Sequence, residues 1–134
     1  MRPIVHALLV CRDLETEPDG SLTLRNVVEI VPAEAIPGEV GPLVFVAFLR
    51  GMPAGAGEGA FVLHVGGAEQ PGGARLPLKL DVPAAMAGRQ LAVHVRLRAL
   101  PVEQAGWFDL GFEWAGEMLA STRFAVGTRG GPSS

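Results

Sequence analysis

Two neighbouring stretches, Leu91-Ala-Val-His-Val-Arg-Leu97 and Trp107-Phe-Asp-Leu-Gly-Phe-Glu-Trp114, decide the fold class. In the first, Leu91, Val93, Val95 and Leu97 share one phase, while Ala92, His94, Arg96 and the following Arg98 share the other. In the second, Phe108, Leu110, Phe112 and Trp114 alternate with Trp107, Asp109, Gly111 and Glu113. Side chains of an extended chain point to alternate faces, so this period makes one face buried and the other wet. The reading is of antiparallel strands in an all-β protein. Paired as a hairpin across the loop 101–106, the stretches set Ala99 opposite Phe108, Leu97 opposite Leu110, Val95 opposite Phe112 and Val93 opposite Trp114. Arg98 then faces Asp109, and His94 faces Glu113. A second hairpin with the next strand places Phe112 by Ala120, Leu110 by Thr122, Phe108 by Phe124 and Asp109 by Arg123. A slip of one residue would turn each apolar set to the wrong face.

Working outward, strands are expected at about 4–11, 21–30, 44–49, 60–66, 76–82, 90–99, 107–114 and 117–126. Between them stand turn signals: the loop Arg12 to Gly20 closing on Asp19-Gly20, three prolines at 32, 37 and 42, and glycine-rich loops at 51–59 and 66–74. Leu22, Leu24 and Val27 or Val28 suggest a bulge or face switch near Arg25-Asn26. Pro77 inside the alternation of Leu76, Leu78 and Leu80 demotes that strand to a sheet edge. Residues 83–88 can make one helical turn. About eight short strands at this spacing predict a single-domain antiparallel β-sandwich, Ig-like or C2-like in shape, over 1–126, followed by a disordered tail at 127–134.

The totals agree with one domain. A chain of 134 residues can bury a core without staples, and 18 Gly and 11 Pro scattered between apolar runs are what many short strands require. A net charge of −3 argues against a nucleic-acid partner that needs a basic face. Lys79 is the sole lysine among eleven basic residues, a bias that reads with the Ala, Gly and Pro content as a GC-rich bacterial genome. The single Cys11 rules out an intramolecular disulfide and a cysteine zinc cluster, and favours a cytoplasmic location. The run from Arg2 to Cys11 is too short, and too interrupted by His6, for a lipoprotein leader. No segment has the ~20 apolar residues of a membrane-spanning helix.

Candidate chemistry is sparse. Asp13, Glu15, Glu17 and Asp19 cluster carboxylates as a calcium loop would, but Pro18 and the missing flanking helices break the EF-hand pattern. His64 and His94 both take the outward phase and could meet as a zinc or catalytic pair if their strands are neighbours. Ser21, Ser121 and Thr122 lack a nucleophile elbow, and the 51–59 glycines lack the Lys-Ser/Thr of a phosphate loop. No catalytic residue and no cofactor is expected from these patterns.

The feature with most consequence is Leu43-Val-Phe-Val-Ala-Phe-Leu49, apolar in both phases, with His6 to Cys11 nearly so. The outer face of an antiparallel strand is normally polar, so something must cover Val44, Phe45, Val46 and Phe48. Three covers are open: the loop 31–42, the 83–88 turn, or another protein chain, with a homodimer the leading form of the last.

Ala7-Leu-Leu-Val-Cys11, Asp19-Gly-Ser-Leu-Thr-Leu24 with Val27 and Val28, and Leu43-Val-Phe-Val-Ala47 resemble the start of a family of small bacterial all-β proteins. That family is catalogued only as a domain of unknown function. Gly106-Trp-Phe-Asp-Leu110 followed by Glu117-Met-Leu-Ala120 is similar to its closing hairpin. The resemblance covers most of the chain and implies a compact β-sandwich, with no catalytic residues to carry over. The leading functional expectation is a non-enzymatic, self-associating interaction or structural module. A calcium- or zinc-binding or small-ligand sandwich stands second, and an enzyme third.

Overall fold

The computed structural model describes residues 3–19, 21–65 and 73–128. They form an all-β curled half-barrel without an α-helix among the described residues. The strands are β1 (Ile4–Thr16), β2 (Leu22–Val27), β3 (Ile30–Ala33), β4 (Gly38–Val40), β5 (Leu43–Arg50), β6 (Gly55–Val65) and β7 (Gly73–Val82), then β8 (Leu91–Leu97), β9 (Leu100–Val102), β10 (Gly106–Trp114) and β11 (Glu117–Thr128). One sheet is antiparallel, in the order β2-β1-β5-β8. The other runs β3-β11-β10-β6-β7 and is mixed, because β3 lies parallel to β11. A short β4-β9 ribbon stands apart.

The expected pairing of 107–114 with 117–126 holds: Phe108 meets Phe124, Asp109 meets Arg123 and Leu110 meets Thr122. The expected pairing of 90–99 with 107–114 does not. β8 lies against β5, with Leu43 opposite Leu97, Phe45 opposite Val95 and Val46 opposite His94. β10 takes β6 as its other neighbour. The cause is the linker: Leu100–Val102 is itself a strand bound to β4, and carries the chain from one sheet to the other. Alternation alone could not detect this, because every alternating strand matches every other. Arg98 therefore does not face Asp109, and His94 does not face Glu113, which bonds Arg75 at 2.7 Å.

Four expected loops or boundaries also change. β1 continues to Thr16 through the stretch read as a loop, and the expected strand 21–30 divides into β2 and β3, which belong to different sheets. The break falls at Val28-Glu29, just past Arg25-Asn26 where a bulge or face switch was expected, and Asn26 has φ 55°. The glycines of 51–59 lead into β6 from Gly55, since the Trp114 indole lies against Gly57 and Gly59, where a Cβ would overlap the ring. β11 runs through Thr128, so Gly127 and Thr128 of the expected tail are strand, and 129–134 lie outside the described residues, as do 66–72 of the second glycine-rich loop. Edge placement of the Pro77 strand and a helical turn at Ala84–Met86 follow the reading.

The core sits between the two sheets. Phe45 is fully buried, its ring 6.2 Å from both Phe61 and Phe124, and Phe61 meets Phe112 edge-on at 5.2 Å. Each such side chain contributes roughly 1.5–3 kcal/mol relative to exposure.

The other face of β5 has its own cover. Val44 and Val46 are 1% and 0% exposed, in a second apolar cluster with Cys11 and Leu14, flanked by Leu22, Leu24 and Phe48. These come from the far half of β1 and from β2. β8 lies on the opposite side of β5 from both strands. Yet Arg96 of β8 bonds the Asp13 carboxylate at 2.9 Å and the Leu14 carbonyl. The β1–β2 hairpin must therefore curl across β5 to meet β8. The cover is neither the 31–42 loop nor the 83–88 turn but the acidic segment that looked like a loop. Of the interface candidates, Phe45 belongs to the inter-sheet core, Val44 and Val46 are buried within the chain, and half-buried Phe48 packs against their cluster.

Candidate functional site

The acidic row is used locally. Asp13 bonds Arg96 and the Leu14 amide, Glu15 bonds Arg25 at 3.0 Å, and Glu17 accepts from Thr23 at 2.7 Å. Asp19 accepts from both the hydroxyl and the amide of Ser21, closing the turn. The Arg96 guanidinium and the Leu14 amide hold Asp13 below the usual carboxylate range, and the two Ser21 donors do the same for Asp19. Both shifts describe carboxylates already satisfied by protein donors.

His64 and His94 do not meet. His64 stands on β6 opposite Asp109, and His94 on β8 opposite Val46. They look outward from different sheets. Partial burial, then the nearby Arg96, lowers the His94 pKa from its ordinary value of 6.5. Among the described residues no three His, Cys, Asp or Glu side chains gather as a metal site would need. Burial raises the pKa of the Cys11 thiol, which keeps it protonated inside the second cluster.

What the structure does assemble is an exposed apolar row on the outer face of the mixed sheet. β3 and β11 pair Ile30 with Ala125, and β11 and β10 pair Ala125 with Trp107. Paired residues point to the same face, and adjacent strands lie about 4.8 Å apart. The three side chains therefore stand shoulder to shoulder. Ile30 is 66% exposed and Trp107 53%, while their chain neighbours Val31 and Phe108 are buried in the core. The inward anchor of each strand thus fixes the outward residue.

Arg123, two residues along β11 from Ala125, completes the row. Its Nε donates to Asp109 at 2.9 Å, and its guanidinium carbon lies 6.0 Å from the Trp107 ring centre. A cation over an indole face within about 6 Å is attracted to the ring, so Arg123 and Asp109 orient Trp107. Beside the row lies a groove of about 250 Å³ at the seam between the sheets, where Val27, Val28 and Glu29 cross from β2 to β3. Val27 adds a further 52%-exposed apolar side chain. A larger depression of about 550 Å³ lies beside Arg75 and Lys79, and its arginine is bonded to Glu113.

This row escaped the sequence reading, though one signal was available. Trp107 occupies the wet phase of its strand, where an indole has no packing reason to be. Ile30 gave no such signal, because its partner strand could not be inferred. No protein-family model matches the sequence, and no curated protein matches it either. The family resemblance therefore stands on strand pattern alone.

Proposed function

We propose that the chain is a non-enzymatic interaction module that docks a protein partner on the Ile30–Ala125–Trp107 row. The exposed tryptophan held by Arg123 at the end of a row with Ala125 and Ile30 carries this reading. Trp and Arg dominate the binding energy of protein interfaces, and an apolar patch on a soluble domain marks a contact surface. The chemistry selects the partner: apolar side chains to cover Trp107 and Ile30, with an acidic group for the remaining N–H donors of Arg123. Within this proposal the two facing sheets are read as a β-sandwich of Ig-like or C2-like shape, supported by Phe45 contacting Phe61 and Phe124. Membership of the small bacterial family, a cytoplasmic location and self-association belong to the same proposal.

The test uses displayed random peptides selected on the immobilised full chain. Enrichment of peptides pairing apolar with acidic residues, and at least tenfold weaker binding of them to Trp107→Ala and Ile30→Asp, is the expected result. No enrichment, or peptides that bind both variants as well as the parent, overturns the reading. Both positions are exposed, so the variants should keep the parent's thermal midpoint to within a few degrees.

A further inference from the structure

The two long strands bounding the sheets differ in how they meet solvent. β7, the edge of the mixed sheet, carries Pro77 and Lys79, residues that deter a new strand from pairing. β8, the edge of the antiparallel sheet, is seven residues without proline, glycine or lysine. It pairs with β5 on one side, and no described strand pairs with the other. Its inward-phase residues Leu91, Val95 and Leu97 are only half-buried, although their partners on β5, Leu49, Phe45 and Leu43, are fully buried. The core thus thins at this edge.

The sequence of β8, Leu-Ala-Val-His-Val-Arg-Leu, reads nearly the same in both directions about His94. We propose that β8 pairs antiparallel with β8 of a second copy, about a two-fold axis through His94. This deepens the self-association in the reading above but uses a different surface. A two-fold contact must be self-complementary, and here it is. Leu91 of one copy meets Leu97 of the other, Val93 meets Val95, and the small Ala92 stands opposite Arg96. Each half-buried inward side chain gains an apolar cross-strand neighbour, and one eight-stranded sheet crosses the dimer. A two-fold centred on a residue satisfies the backbone in either hydrogen-bonding phase, because residue 94 forms a bonded or a non-bonded pair with itself. Arg96 already turns toward Asp13 and Leu14 across its own β5, which leaves the edge open.

The experiment is mass in solution by light scattering over a dilution series of the full chain, with three variants. The parent should run at twice the 14.0 kDa chain mass at micromolar concentration. His94→Lys sets two ammonium groups opposite each other at an exposed position, and should weaken the dimer at least tenfold. In a Cys11→Ala background, His94→Cys should form a disulfide-linked dimer on mild oxidation, because facing Cα atoms about 4.5–5.5 Å apart lie within disulfide range. A parent that stays monomeric at high concentration overturns the inference. So does a dimer that ignores His94→Lys and fails to cross-link through residue 94. Loss of the dimer in Trp107→Lys, with His94→Lys unaffected, also overturns it and places self-association on the docking row instead. Peptide binding at Trp107 survives failure of the β8 contact, so the two readings fail separately.

Discussion

At the scale of single residues, what looked like flexibility is packing. Gly55-Ala-Gly-Glu-Gly59 has the composition of a loop, and composition gave no reason to read it otherwise. The cause lies more than 50 residues downstream, in the indole of Trp114 resting on Gly57 and Gly59. A side chain at either position would displace that ring, so glycine in this strand answers to a close approach. Gly57→Val is expected to destabilise the fold by about 1–3 kcal/mol through overpacking. The double variant with Trp114→Leu should cost less than the sum of the single changes, because the smaller side chain returns the space. Urea midpoints of the four proteins decide it, and strict additivity would mean that the indole does not occupy that space. Trp107 offers the opposite lesson: its outward phase was legible, but its neighbours Ala125 and Ile30 depend on pairings that the sequence does not encode locally.

Among the elements, the β1–β2 hairpin has the most unusual role, since it covers the back of a strand in its own sheet. Its alternation was weakly legible. Leu14 between Asp13 and Glu15 continues the period of β1, but one apolar residue among four acids reads as a solvated loop. Its true setting, over Val44 and Val46, depends on sheet curl, and curl has no local signature. Arg96 ties the hairpin down, and two titrations report on the tie. Asp13 has a lowered folded-state pKa, from its bond to Arg96 first, so its stabilising effect is full above the ordinary carboxylate value of 3.8 and is lost as pH falls through the folded value. His94 is also lowered, but it is a base, so the fold disfavours its proton. Its effect is to weaken the fold as pH falls below 6.5 toward the folded value. Stability should therefore drop in two steps on acidification, a first below pH 6.5 and a second below pH 3.8. Arg96→Gln should shrink both steps and raise the imidazole pKa of His94, measured by NMR titration. The same variant should speed amide exchange at residues 12–16 and 22–27 more than in β10. Unchanged exchange in the hairpin would show that apolar contact alone holds it.

For the molecule as a whole, the sequence supported the class, the apolar phases and the β10–β11 hairpin, and it failed on what connects to what. The failure is physical: alternation specifies a buried face but names no partner, and the β9 crossing that separates β8 from β10 is three residues long. The same ambiguity made the back of β5 look like an interface. With the hairpin as its cover, a single copy buries that cluster. A charge at Val46 separates the two arrangements. If a second copy covered this face, Val46→Asp would yield a folded monomer. Val46 is fully buried in an apolar cluster with Cys11, Leu14 and Val44, and burial of a charge in such a setting is among the most destabilising changes a core can receive. Val46→Asp is expected to cost more than about 4 kcal/mol, in the exceptional range for a point change. The comparison is made at a protein concentration below any association, where the parent midpoint should not vary with concentration. Circular dichroism during urea titration then reads the loss directly. A Val46→Asp protein that unfolds with the parent's midpoint would mean that the hairpin lifts readily from β5 and leaves that face open to a partner.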